Sequence, residues 1–163
     1  MPIRPATGAD RDAIWTILEP VIRAGETYAI DRDIAEADAL AYWLGGDRKA
    51  YVFDDQGRIL GTYYIRPNQR GGGRHVANCG YVIAADSTGR GIARQMCLHS
   101  LELARSEGFK AMQFNLVVST NRRAVRLWQS LGFEIVGTLP RAFNHPTAGL
   151  VDAYVMYADL GGG

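Results

Sequence analysis

Cysteine, net charge and long apolar runs are all scarce in this chain, and each scarcity excludes something. There are only two cysteines in 163 residues, Cys79 and Cys97, with no CxxC or Cys/His spacing suited to zinc. A disulfide-stapled scaffold and a zinc module are therefore excluded; the expectation is two reduced, buried thiols in a cytoplasmic protein without a metal. Net charge is only +1, so no global field draws the chain to nucleic acid or to an anionic membrane. No run approaches the ~20 apolar residues of a membrane span, and the N-terminus lacks a charged-then-apolar leader. No internal repeat is visible. Low complexity is limited to Gly71–Gly73 and to Gly161–Gly163, the latter expected to be a flexible tail. What remains is an ordinary globular composition, 47% hydrophobic and 21% charged, and a length that suits one domain over residues 1–160.

Periodicity predicts the elements in order. Ile3 and Arg4 open an edge strand. Thr7 offers an N-cap with Asp10 three residues on, before a helix carrying Ile14, Ile17, Leu18 and Val21 that Pro20 should end or kink. A second helix is expected from Ile34 to Leu44, with Ala37, Leu40, Ala41 and Leu44 on its apolar face. Strands at Ala50–Phe53 and Ile59–Ile65 flank a hairpin turn at Asp54–Gly57, and a third run extends from His75 to Ala84. After a Gly-rich turn, a helix places Ala93, Cys97, Leu101 and Ala104 on one face. Lys110–Val118 alternates as a half-buried strand, Asn121 opens a short helix, and Phe133–Val136 and Val151–Ala158 read as strands. The order β-α-α-β-β-β-α-β-α-β-β implies an α/β (mixed α+β) fold. Its sheet should be mixed and mostly antiparallel, with six to seven strands and about four flanking helices.

The chemistry concentrates in Thr88-Gly89-Arg90-Gly91-Ile92-Ala93, where an extended run from Tyr81 feeds a turn and then a helix. Such a turn points free N–H groups and the positive end of a helix dipole at one spot, an anion site suited to a phosphate or pyrophosphate. A P-loop is disfavoured because no lysine follows the glycines, and a Rossmann fingerprint because Arg94 stands where a third Gly or Ala belongs and hairpins precede the turn. Gly89 and Gly91 let the backbone approach a pyrophosphate, with N–H groups from Gly89 to Arg94 converging on its oxygens. Arg90 and Arg94 flank the turn; Arg122 and Arg123 open the next helix.

Gly91 and Ala93 match [RQ]-x-x-G-x-[GA], the acetyl-CoA motif of the GCN5-related N-acetyltransferase (GNAT) superfamily, with Thr88 standing at its Arg/Gln position. The later Asn121-x-x-Ala124-x-x-Leu127-Trp128-x-x-Leu131-Gly132-Phe133 segment resembles the same superfamily, and the resemblance covers nearly the whole chain. It implies an acetyl-CoA-dependent N-acetyltransferase acting by direct transfer to a small-molecule amine. The alternatives are a protein N-terminal or lysine acetyltransferase, transfer of a larger acyl group, and a non-catalytic CoA-binding domain. It also implies pantetheine and acetyl contacts along the backbone of Tyr81, Val82 and Ile83, with Ile83 as oxyanion donor. Cofactor contacts are implied from Gly89, Arg90, Gly91, Ile92, Ala93, Arg94, Asn121, Arg123, Ala124 and Trp128, and a homodimer is implied as well. Trp128 stands where many members carry an acidic Tyr, and Leu116 where some carry a basic Glu. The general base is therefore sought elsewhere. Glu26, with Tyr28 nearby, and His75 are the candidate base and acceptor-binding residues, with His145 in a loop over the acceptor and proton transfer through water as a further route. The stretches Gly25–Ile30, Pro67–Arg74 and Arg141–Leu150 are expected to line the acceptor side.

Overall fold

A computed structural model describes residues 2–161; Gly162 and Gly163 of the expected tail lie outside the described residues. The elements run β1 (Ile3–Pro5), α1 (Arg11–Ala24), α2 (Glu36–Leu44), β2 (Lys49–Asp55), β3 (Arg58–Pro67), β4 (Val76–Ile83), α3 (Ile92–Ser106), β5 (Ala111–Val118), α4 (Arg122–Ser130), β6 (Glu134–His145) and β7 (Gly149–Asp159). This is the order that the hydrophobic pattern predicts. One seven-stranded sheet forms in the order β1-β2-β3-β4-β5-β7-β6. Every pairing is antiparallel except β4 with β5, whose connection crosses over through α3.

Each face of the sheet buries its own core. On one face Met96, Cys97 and Leu101 of α3 and Trp128 of α4 pack on Leu60, Tyr63, Met112, Phe114 and Met156. On the other, Ile14, Ile17 and Leu18 of α1 and Leu40 and Trp43 of α2 pack on Val52, Tyr64 and Val82. Strand β3 is consequently buried on both sides from Leu60 to Ile65, which is why it reads as a near-continuous apolar run. Arg4 of β1 ties this second layer together, with Nη1 2.9 Å from Asp10 Oδ2 and Nε 3.0 Å from Asp54 Oδ2. Asp10 also accepts the N–H of Thr7 at 2.7 Å, closing the expected box ahead of α1.

Three expectations are corrected. Pro20 does not end α1, which continues to Ala24 with Ile22 buried: the lost hydrogen bond is outweighed by burial of the helix face. The buried face of α2 is Ala39, Leu40 and Trp43, while Ala37 and Ala41 are exposed, because the indole rather than the alanines supplies the area worth burying. The strand expected at Phe133–Val136 runs on to His145 as an edge strand, and Phe133 precedes it as a core residue. Its Pro140 and its irregular registers after Ile135 and Leu139 are tolerated because one side of β6 has no strand neighbour.

Candidate active site

The site is a defect in the sheet. Strands β4 and β5 pair only at Val76↔Ala111 and Ala77↔Met112, after which they diverge. A cleft of about 760 Å³ opens between them, walled by Asn78–Ile83, Phe114–Val118, the Gly-rich turn and the inner side of α4. Two side chains bond to main-chain groups that a neighbouring strand would otherwise satisfy. Asn78 Nδ2 donates to the Gln113 carbonyl at 2.9 Å, bridging β4 to β5 just past the last rung. The Tyr28 hydroxyl accepts the Tyr81 N–H at 2.8 Å and donates to the Tyr81 carbonyl at 2.9 Å. Opposite, β5 is irregular between Phe114 and Val117, so Asn115 and Leu116 leave the ladder with β7 where they line the cleft.

The direction of the β4 backbone follows from its ladder. The Ala84 N–H donates to the Leu60 carbonyl at 2.8 Å, so in an alternating antiparallel pair Val82 bonds toward β3 while Tyr81 and Ile83 turn toward the cleft. Val82 lines the cleft, with its main chain engaged in the sheet and its side chain in the core. Tyr81 itself is clamped from beneath. Its hydroxyl lies 2.6 Å from Ser100 Oγ, and its ring centre lies 5.1 Å from that of Trp128. Trp128 also packs 5.1 Å from Phe114, centre to centre, as one wall of the cleft.

At one end of the cleft lies the Gly-rich turn. Gly89 and Gly91 have φ of +80° and +75°, a region L side chains rarely adopt, and α3 starts at Ile92 with no acidic residue in its first turn. Gly89, Gly91, Ile92, Ala93 and Arg94 line the cleft, as do Asn121, Arg123 and Ala124 across from them. Arg94 Nη1 donates to Ser130 Oγ at 3.2 Å, linking α3 to α4. The Asn121 side chain makes no capping bond to α4, although the sequence suits it for one. The Arg90 side chain lies outside the cleft wall, its Nη2 3.7 Å from Asp55 Oδ2 on the β2–β3 hairpin.

At the other end stand Tyr28, Tyr42, Tyr64, Arg48 and Arg66. Gly80 makes this corner possible, since a Cβ there would lie 2.7 Å from Tyr64 Cε2 and 3.1 Å from the Tyr28 hydroxyl. Burial pushes the phenols of Tyr28 and Tyr64 well above the usual tyrosine range, so neither is a base at neutral pH. Four arginines line the cleft, and among the described residues no aspartate, glutamate, histidine or lysine does. Glu26 and His75 are both exposed and outside the cleft wall, His75 beside the first β4–β5 rung. Of the expected loops only residues 27–30 reach the wall. His145 instead accepts the N–H groups of Thr147 and Ala148 at 3.2 and 3.1 Å, holding the β6–β7 turn. The thiols Cys79 and Cys97 are buried, which pushes the first up and the second up to about 12, so neither is a ready nucleophile. Asn78, Arg48 and Arg66 are the residues that sequence reasoning passed over or left open; only their place beside the splay distinguishes them.

A parallel pair that opens onto a glycine turn at a helix N-terminus is an architecture for an acyl carrier with a diphosphate. The profile of the acetyltransferase (GNAT) family matches residues 13–133. The chain is 30% identical over 153 residues to N-acetyltransferase aca1 of Schizosaccharomyces pombe, covering 82% of this chain and 72% of that protein. It superimposes on a GCN5-related N-acetyltransferase from Kribbella flavida with a TM-score of 0.91 and 42% identity over 96% of each chain. A phosphinothricin acetyltransferase from Sinorhizobium meliloti, solved in complex with acetyl-CoA, shares the fold with a TM-score of 0.85 and 19% identity over 99% of this chain and 90% of that one. The chain belongs to the GNAT family of N-acetyltransferases; it is an acyltransferase whose acyl donor is acetyl-CoA.

Proposed function

We propose that the enzyme moves an acetyl group directly from acetyl-CoA to the amine of a small-molecule acceptor. The observation that carries this reading is the two-rung β4–β5 seam, beyond which one cleft connects the Gly-rich turn to the tyrosine and arginine corner. The residues present fit the donor. N–H groups of the Gly89–Arg94 turn and the N-terminus of α3 hold its diphosphate, with Arg94, Arg123 and Asn121 as side-chain partners. Ala124 and Trp128 provide apolar wall. Acetyl-CoA supplies a thioester-activated acetyl group, and the cleft-facing main chain of β4 orients it, with the Ile83 N–H as the oxyanion donor.

No side chain in the cleft is suited to take the acceptor's proton. Water is the carrier, and the arginines assist by disfavouring the ammonium form of a bound amine. The buried thiols, poor as thiolates, favour direct transfer over an acyl-enzyme. A cleft with guanidiniums and no acid is poorly suited to lysine side chains or basic peptides, which favours a small acceptor.

The test is amine-dependent CoA release across small amines and peptides, with Gly91→Trp as the blocked variant. Release with small amines, and loss of both acetyl-CoA binding and release in G91W, supports the reading. Turnover of peptides alone overturns the acceptor class, and acetyl-CoA binding undiminished in G91W overturns the placement.

A further inference from the structure

In the acceptor corner Arg48 carries a positive charge that no acid among the described residues pairs with. Arg48 lines the cleft between α2 and β2, its guanidinium carbon 4.2 Å from the ring centre of Tyr42 and 5.0 Å from that of Tyr64. Among the described residues no carboxylate lies within ion-pair distance of it, and its Nε is buried without a hydrogen-bond partner. Arg66 lines the same corner, its Nε within ion-pair distance of Asp47 Oδ1 at 3.2 Å but, like Arg48 Nε, without a hydrogen-bond partner. A part-buried guanidinium lying on two rings is fixed in plane and poorly hydrated, and an incoming anion recovers what that arrangement costs.

We propose that Arg48, with Arg66 beside it, binds a carboxylate of the acceptor, so that the amine acetylated belongs to a small amino acid or a similar amino carboxylate. This rests on the small-molecule reading above and narrows it. The planar fork of a guanidinium matches a carboxylate with two parallel hydrogen bonds, which an ammonium cannot do. Tyr64 sets the spacing: its ring meets Arg48 at one place and the β4 backbone at Gly80 at another. The anion corner and the β4 main chain are thus one aromatic side chain apart, a span for a compact acceptor with its two charges close together. A polyamine or a multiply aminated sugar would bring further cations to a corner whose neighbouring acid, Asp47, is already paired with Arg66.

The experiment measures amine-dependent CoA release with matched acceptors: an amino acid, its carboxamide and its decarboxylated amine, over a panel of side-chain sizes. The wild type is expected to prefer the acid to the amide by about 10–100-fold in kcat/KM, chiefly through KM. In Arg48→Gln that acid-to-amide ratio falls by about 10–100-fold, and Arg48→Lys retains part of it. Acetyl-CoA titration of each variant reports that the donor end is intact. An acid-to-amide ratio near one in the wild type, or a ratio unmoved in R48Q, overturns the carboxylate assignment and leaves the small-molecule reading standing. Turnover of no small amine, with acetyl-CoA still bound, overturns the small-molecule reading itself.

Discussion

Tyr28 shows how much one hydroxyl can carry. It serves both main-chain groups of Tyr81, which a continuous sheet would have paired. Removing it in Tyr28→Phe strands an N–H and a carbonyl at the edge of the cleft, expected to cost about 1–2 kcal/mol. Thermal unfolding should register that as a fall of roughly 2–8 °C for a chain of this size. The proton acceptor can be tested at the same scale. Glu26→Gln and His75→Gln should each leave kcat/KM within about twofold of wild type, since neither side chain reaches the cleft. In a water-mediated mechanism kcat/KM rises with pH until the acceptor's own amine is deprotonated, and the midpoint moves from acceptor to acceptor. A midpoint common to all acceptors would point to an enzyme base. The sequence could suggest Glu26 and His75 because both are capable acids or bases in informative surroundings. It leaves Asn78 as a pocket possibility and passes over Arg48, whose places depend on where β4 leaves β5 and on what fails to pair with a guanidinium.

Among the elements, the Gly-rich turn was the most legible, because positive φ at Gly89 and Gly91 and a helix start at Ile92 are properties of a few neighbouring residues. The hairpin at residues 54–57 and the box of Thr7 and Asp10 were legible for the same reason. Strand β6 was not: its twelve residues include Gly137, Pro140 and Asn144, and it is a strand only because β7 lies beside it. Pro20 misled in the opposite direction, since a local penalty yields to the buried face of α1. The start of α1 carries a pH prediction. Hydrogen bonds from Arg4 hold the Asp10 carboxyl below its usual range despite burial. A depressed folded-state value means that this stabilisation is complete above the unfolded carboxylate range, near pH 4, and is lost as pH falls through the folded-state value. Asp10→Asn should therefore unfold more easily at pH 7, by about 1–2 kcal/mol, and lose its handicap toward acid. Urea melts at pH 7 and pH 3 measure both; an equal handicap at both values would contradict it.

For the whole molecule, the seven strands fall into two groups, β1–β4 and β5–β7–β6, joined by the two-rung seam and the α3 crossover. A ligand seated in the cleft touches both groups, so donor binding and stability are linked. Acetyl-CoA at about 100 times its Kd should add about 2.7 kcal/mol, visible as a rise in Tm that G91W lacks. The fold class was legible at this scale because the strand and helix order constrains the topologies open to it. The splay itself is a matter of which rungs are missing, and no local pattern of residues records a bond that does not form.

A zip fastener closed for two teeth has a slider position, and Asn78 sits at it. Its amide catches Gln113 where the main chain stops doing so, continuing the seam one step past its last main-chain rung. The closed end of the cleft therefore coincides with a single side-chain bond.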